Sequence, residues 1–249
     1  MRLRSRELKD FFIGNLLGDG CIHNGSFTTK SINKDLLFFK AKVIKDNLPN
    51  IKYKIIEHKE SVDKNGVRRK RYWELYVSPN EYLKKLEREF YPNGVKIIPD
   101  KYIRDLSLLG YAIWYADDGT TILVGYNEIT GSAKCRRVQF CTDHFSYEEV
   151  IKLSKMVEKQ FGDLSIIKRK DGEFRIQLKT YNAQNFLISI APYFLKYFKS
   201  LLYKLDMGYR GESLYNRKYV QEEYHNLFVE ISAYEEFIDR VKVNKLGMI

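Results

Sequence analysis

The chain has 249 residues, enough for one large or two modest domains, and carries 43 Lys plus Arg against 32 Asp plus Glu, a net charge of +11. This balance, with 14% aromatic residues, favours a polyanionic partner, nucleic acid before membrane. Three cysteines without C-x-x-C spacing exclude the usual four-thiolate zinc site, and no run approaches the roughly 18 apolar residues of a membrane span. We therefore expect a reduced, intracellular protein of the cytoplasm or an organelle matrix.

The first predicted element is the apolar stretch FFIGNLLGDGCI at 11–22, which reads as a helix ending in an acid between two glycines. Gly14 and Gly18 are four residues apart and lie on one helix face, where small residues let a second helix approach closely. Asp19-Gly20 taken alone is typical of a helix end followed by a turn.

The elements after Asp19 alternate between strands and helices. They are a short hairpin turning at Asn24-Gly25, a helix at 33–47, strands at 51–59 and 67–77, and a helix at 80–91.

The segment LGYAIWYADDGT at 109–120 resembles the first motif and places Asp118 in the role of Asp19. Its downstream elements follow the same order: a hairpin at 119–142, a helix at 146–161, strands at 164–170 and 173–179, and helices at 182–205. This duplication predicts a first half at 1–104 and a second half at 105–206. The segment 207–249 has no counterpart, and its role is open.

Ala112 and Ala116 repeat the four-residue spacing of Gly14 and Gly18, so we expect the two apolar helices to pack face to face. Packing of this kind would bring Asp19 and Asp118 together at two helix C-termini, where partial negative charge disfavours ionised carboxylates. A hard divalent cation, Mg²⁺ above all, relieves this repulsion. Paired carboxylates that hold Mg²⁺ against a phosphate backbone are typical of a nuclease site.

Basic residues concentrate on the predicted strands. Residues 51–72 hold eight Lys or Arg and three acids, and residues 164–179 hold five and two. A β-ribbon fits the major groove, so these strands are expected to contact DNA. The predicted contacts are Lys52, Lys54, Arg68, Arg69, Lys70, Arg71, Tyr72, Lys134, Arg136, Arg137, Lys168, Lys170, Arg175, Gln177 and Lys179. The alternative for the stretch GVRRKRY is a solvated hairpin tip.

The motifs FIGNLLGDG and YAIWYADDG resemble the two diagnostic motifs of the LAGLIDADG homing endonucleases, in the single-chain form. The resemblance covers roughly residues 7–205, and Asn15 and Asp117 are among the departures from the family string. It implies an α/β (α+β) fold of two pseudo-twofold αββαββα halves. The motif helices would form the central interface, and two antiparallel sheets would form a DNA-binding saddle.

The resemblance also implies roles for individual residues. Asp19 and Asp118 would ligate divalent metal, with Mn²⁺ substituting for Mg²⁺ and Ca²⁺ supporting binding without cleavage. Lys96 and Lys204 would polarise water or stabilise charge at the phosphate, and Gln139 would orient water. Asp117 competes with Asp118 for the role of metal ligand. We prefer Asp118, which matches Asp19 in register before Gly, and expect Asp117 to lie next to the metal ligands without binding metal itself.

The expected function is that of a monomeric, site-specific endonuclease that makes a staggered break with short 3′ overhangs in double-stranded DNA. Two alternatives share the fold: a maturase that binds its host intron RNA, and a non-cleaving DNA-binding regulator. A glycosidase built on a carboxylate pair would need neither basic strands nor a repeat, and this chain has both. A start at Met1 without protein-splicing segments suggests an intron-encoded or free-standing protein.

Overall fold

A computed structural model describes residues 1–62, 66, 68–102, 105–126 and 133–205. The side chains of 123, 126, 133–136 and 180 are outside this description, as is the segment 206–249.

The first half contains three helices and a four-stranded antiparallel sheet. Its helices are α1 (Ser5–Leu17), α2 (Lys34–Asn47) and α3 (Glu81–Phe90). Its strands are β1 (Cys21–His23), β2 (Ser26–Ser31), β3 (Tyr53–His58) and β6 (Tyr72–Val77), with a separate short pair formed by β4 (Ser61–Val62) and β5 (Arg68–Arg69). A short 3₁₀ turn, Asp100–Tyr102, precedes the second half.

The second half repeats this plan. Its helices are α4 (Leu108–Asp118), α5 (Tyr147–Phe161) and α6 (Thr180–Tyr197), followed by the 3₁₀ helix Lys199–Leu205. Its strands are β7 (Gly119–Tyr126), β8 (Ala133–Cys141), β9 (Leu164–Lys168) and β10 (Phe174–Lys179). The sheet orders β1-β2-β6-β3 and β7-β8-β10-β9 are equivalent, which confirms the predicted duplication.

The helix boundaries follow from local chemistry. Ser146 caps α5 through its hydroxyl, which accepts from Glu149 N, while the Glu149 carboxylate accepts from Ser146 N, as the capping-box pattern predicts. Ser107 caps α4 in the same way by accepting from Gly110 N. The Ser107 amide itself donates to Asp10 Oδ2 of α1 at 3.1 Å, so a buried acid of the first motif helix fixes the start of the second.

Helices α1 and α4 pack closely at the centre of the molecule because glycine removes the side chains that would separate them. A Cβ added at Gly14 would lie 2.2 Å from the carbonyl oxygen of Gly110, and one at Gly18 would lie 2.6 Å from Asp117 Cβ. The expected close approach is therefore present. The expected partners on α4 were Ala112 and Ala116, and this expectation was wrong. Both alanines are buried, but the atoms nearest to Gly14 and Gly18 belong to Gly110 and Asp117.

Gly14→Ala is expected to destabilise the protein because the added methyl group meets backbone of α4, which can move only if the helices separate. Overpacking of this kind costs about 1–3 kcal/mol. Chemical denaturation of the variant measures the cost, with Lys155→Ala on the exposed face of α5 as the control. Equal stability of the two variants would show that the helices are not in backbone contact at Gly14.

Each sheet has one face against the helices and one face away from them. Leu75, Val77, Ile176 and Leu178 are fully buried on the helix-side faces. Side chains alternate along a strand, so Tyr72 and Tyr76 of the first sheet point away from the helices, as do Arg175 and Gln177 of the second. We call these two opposite faces the open faces. No helix in the described part of the chain is long and apolar enough to cross a membrane.

Candidate active site

The two motif acids lie at the C-terminal ends of the central helices. Asp118 is the last residue of α4. Helix α1 ends at Leu17, Gly18 is its C-cap, and Asp19 comes next. Burial, the charge of Asp19 and the charge of Asp117 together raise the pKa of Asp118 to about 7. The Asp19 amide donates to Asp117 Oδ2 at 3.4 Å, so the end of α1 meets the end of α4 as expected, and the acids there carry the expected electrostatic penalty.

Asp117 has a different environment from its neighbour. Its side chain is fully buried against Gly18, and Lys40 Nζ of α2 donates to both carboxylate oxygens at 2.7 and 2.8 Å. Lys40 is also fully buried and donates to Thr29 Oγ1 at 3.2 Å. Burial raises the pKa of Asp117 while the charge of Lys40 opposes that rise, so the lysine favours the ionised carboxylate. Asp117 is therefore committed to an internal ion pair that ties α4 to the first half.

The two predicted lysines both lie beside the acids. Lys96 Nζ donates to Gly20 O at 3.3 Å, and Lys204 Nζ donates to Ala116 O at 2.7 Å and to Asp117 O at 3.2 Å. Burial lowers the pKa of each lysine, and the charges of Asp19 and Asp118 oppose the shift in both cases. Lys204 thus places a positive charge against the last carbonyl oxygens of α4, where the helix dipole is negative.

The donor set fits a hard divalent cation. Within the described residues, no three His, Cys, Asp or Glu side chains form a ready-made metal cluster. The chain instead offers two carboxylates, and the charge of Asp19 adds to burial in raising the pKa of Asp118, a repulsion that a bound cation would relieve. Mg²⁺ suits such a site because it keeps several waters and binds through one or two carboxylates plus substrate phosphates.

The raised pKa of Asp118 predicts how stability depends on pH. Between about pH 4 and pH 7 the folded chain keeps a proton that the unfolded chain has lost, so stability falls as pH rises through this window. Asp118→Asn removes the titrating group and is expected to melt above wild type by a margin that grows from pH 4 to pH 7. Thermal melts in chelator measure this margin, and Asp163→Asn, at an exposed acid, should show no such trend. A margin that stays constant with pH would contradict this account of Asp118.

Gln139 lies on the open face of the second sheet, close to the motif acid of α4. It pairs in register with Thr120, two residues after Asp118, and its Nε2 donates to Gln177 Oε1 at 2.9 Å. Gln177 is 4% exposed. The structure therefore places both glutamines on the open face and joins them to each other by a hydrogen bond.

The open face of the first sheet carries part of the predicted DNA-contact set. Lys54 lies there with its ammonium 5.2 Å from the Tyr76 ring centroid, and Tyr72 stacks on His58. Lys52, just before β3, is exposed.

A cavity of about 560 Å³ runs from this sheet to Asp19. It is lined by Asp19, Asp117 and Lys204 and also by Arg69, Lys70 and Tyr72.

Three predicted contacts lie elsewhere. Arg71 packs over Trp73 at 4.9 Å and lies 3.6 Å from Glu57, both on the helix side of the first sheet. Lys168 pairs with Phe174 on the helix side of the second sheet, 5.8 Å from the ring centroid. Arg68 belongs to the separate β4–β5 pair and donates to Glu60 at 2.6 Å. Arg71 and Lys168 thus lie on the helix side of their sheets, and basic charge in the sequence does not indicate which face of a strand a residue takes.

The remaining predictions for the second half have mixed outcomes. Arg137 and Lys179 are directly paired across β8 and β10 on the open face, and Lys170 is exposed beyond β9. Arg175 is on the open face, but its guanidinium is held by Asp143. The side chains of Lys134 and Arg136 lie outside the described part of the chain.

Sequence reasoning missed Lys40, Gly110 and Asp143. Lys40 falls within the apolar stripe of α2, four residues from both Leu36 and Ile44, and a lysine at such a position is a signal for a buried ion pair. Gly110 is a glycine within an apolar helix, which often has a packing reason. Nothing in the sequence around Asp143 distinguishes it from an ordinary surface acid.

Comparison with known proteins agrees with this duplicated fold and its paired acids. The model of the LAGLIDADG DNA endonuclease family matches residues 9–186. The chain belongs to the LAGLIDADG DNA endonuclease family.

Individual relatives are more distant. The chain is 29% identical to a RecA protein of Mycolicibacterium flavescens over 150 residues, which are 58% of this chain and only 34% of that protein. It is 26% identical to the DNA endonuclease I-ChuI of Chlamydomonas applanata over 231 residues, covering 83% of this chain and 98% of that one. The structure of the homing endonuclease I-WcaI bound to its DNA recognition sequence superposes with a TM-score of 0.67 at 21% identity, covering 81% of this chain and 86% of that one. This last likeness confirms the fold.

Proposed function

We propose that the protein is a site-specific endonuclease that binds a long double-stranded DNA target along its two open faces and hydrolyses one phosphodiester bond in each strand. The observation that carries the proposal is the pairing of Asp19 with Asp118 at the ends of two helices in backbone contact, with two half-buried lysines beside them. A single Asp-Gly helix end would be only a turn, whereas this pair concentrates negative charge beside a basic surface.

Asp19 and Asp118 would hold Mg²⁺, with Mn²⁺ as a substitute. An ion held there would supply two things: a lower pKa for the attacking water and positive charge at the leaving oxygen. Lys96 and Lys204 would stabilise negative charge on the phosphate, because both ammonium groups already lie beside the acids. Gln139 would orient water at the second acid. Asp117 would not bind metal directly, since its carboxylate is occupied by Lys40.

The open faces would provide the DNA contacts. Lys54 and Tyr72 of the first sheet, with Arg137 and Lys179 of the second, have the residue types that meet phosphates and base edges. We expect a monomer, because both halves of the site come from one chain.

Selection from a randomised double-stranded DNA library tests this proposal. With Mg²⁺ we expect cleavage at one family of sequences, with short 3′ overhangs, and with Ca²⁺ retention of the same sequences uncut. Light scattering of the complex should show one protein chain per duplex. Sequence-specific retention without cleavage in either Mg²⁺ or Mn²⁺ would overturn the endonuclease and favour the non-cleaving regulator. Preference for RNA over the selected DNA would favour the maturase.

A further inference from the structure

The second open face contains an arginine whose guanidinium is fixed in the plane of a carboxylate. Arg175 Nε donates to Asp143 Oδ1 at 2.8 Å, and Arg175 Nη2 donates to Asp143 Oδ2 at 2.6 Å. The two side chains are 20% and 25% exposed, so the pair is neither an internal contact nor a fully solvated one. These hydrogen bonds lower the pKa of Asp143 and raise that of Arg175, so both groups are ionised at neutral pH.

The two bonds use only one edge of the guanidinium. Nε and one Nη2 hydrogen bond to Asp143, which leaves Nη1 and the second Nη2 hydrogen as a parallel pair of donors at the other edge. Two parallel donors match O6 and N7 of guanine in the major groove, the commonest specific contact of arginine with DNA. An arginine oriented in advance also loses less side-chain entropy on binding than a free one.

The position of Arg175 fits a base contact near the centre of a target. It pairs with Cys141, which follows Phe140, and Phe140 pairs with Gly119 immediately after Asp118. Arg175 is therefore two strands from the start of β7, about 10 Å at the usual strand spacing. At 3.4 Å per base pair, this distance places its contact within about five base pairs of the second active site.

Asp143 also accepts from a second arginine. Arg169 Nη1 donates to Asp143 Oδ2 at 3.1 Å, and Arg169 Nη2 lies 3.1 Å from Asp171 Oδ2. Arg169 is thereby shared between two acids, whereas the two short bonds from Arg175 set the plane of its guanidinium.

We propose that Arg175 reads a guanine in the half of the target bound by the second sheet, and that Asp143 is the positioning residue that orients it. This inference rests on the proposed DNA binding and adds a base identity to it. It separates Arg175 from the exposed Lys179 on the same strand, whose flexible ammonium suits phosphate better than a base edge.

The test is base preference measured on the bound pool from a randomised DNA library in Ca²⁺, which does not depend on cleavage. Wild type should prefer guanine at one position within about five base pairs of the bond cut at the second active site by roughly 5- to 100-fold. Arg175→Lys, which keeps the charge and loses the paired donors, should remove that preference and leave the other positions unchanged. Asp143→Asn should reduce the preference at the same position only.

Two controls separate the possible outcomes. Lys179→Gln should weaken binding to all sequences without altering the guanine preference, and thermal melts should show that each variant folds. Retention of the full guanine preference by Arg175→Lys would overturn the inference while leaving the endonuclease intact. Absence of any sequence preference in wild type would count against the proposed function itself.

Discussion

Asp19→Asn and Asp118→Asn should each abolish double-strand cleavage while leaving DNA binding largely intact. Each change keeps the shape of the side chain and removes the charge that would hold a divalent cation at the junction of the helices. Loss of a stabilising charge at a phosphoryl centre costs at least about 100-fold in rate, and a double-strand break requires both halves. Cleavage of a plasmid carrying the selected target, with Mg²⁺ in excess, separates linear product from nicked product.

Binding of the same DNA in Ca²⁺ distinguishes loss of chemistry from loss of fold. Asp163→Asn, at an exposed acid of the second half, is the matched control and should cut at the wild-type rate. Wild-type yields of linear product from Asp19→Asn or Asp118→Asn would refute the assignment of that acid. The resemblance predicts one cut per acid, so nicked product from either variant would assign the remaining strand to the unchanged acid.

Lys40→Met should cause a large loss of stability because it leaves the Asp117 carboxylate buried without the ammonium that donates to both of its oxygens. Both side chains of this pair are completely inaccessible, at 0% exposure. Removing one partner of a buried ion pair costs about 3–5 kcal/mol. For a chain of this size that loss corresponds to a fall in melting temperature of roughly 6–20 °C.

The same substitution two residues away provides the control. Lys42 lies on the same helix, is 67% exposed and pairs with Asp46 at 3.2 Å, so Lys42→Met should cost at most about 1 kcal/mol. The double variant Lys40→Met with Asp117→Leu should recover much of the loss, because a well-packed apolar pair can replace a buried ion pair. A melting temperature of Lys40→Met within about 2 °C of Lys42→Met would show that the buried pair is not what stabilises this junction.

The secondary structure could be predicted because its signals are local. The capping box at Ser146, the alternation of Phe174, Ile176 and Leu178 with polar residues, and the glycine-containing turns all depend on residues within a few positions. The fold followed from the repeat. Each half has the order helix, two strands, helix, two strands and helix, and two halves with the same order of elements pack in the same way. The two motifs likewise predicted which acids would meet.

The faces of the strands and the partners of charged groups were harder to predict. Lys168 lies on the helix-side face because strand pairing sets its parity, and Arg71 is on that side through its contacts with Trp73 and Glu57; a run of basic residues does not contain that information. The small residue opposite Gly14 is Gly110, because the crossing point of two helices depends on their relative position along the axis.

The sequence by itself determined the duplicated architecture and the meeting of Asp19 with Asp118, because periodicity and repetition are properties of the chain. The tertiary structure alone decided what surrounds those acids. It pairs Asp117 with Lys40, places Lys204 at the carbonyls that end α4, and holds Arg175 against Asp143. These contacts join residues 32 to 88 positions apart, and such distances in sequence are closed only when separate elements pack into one core.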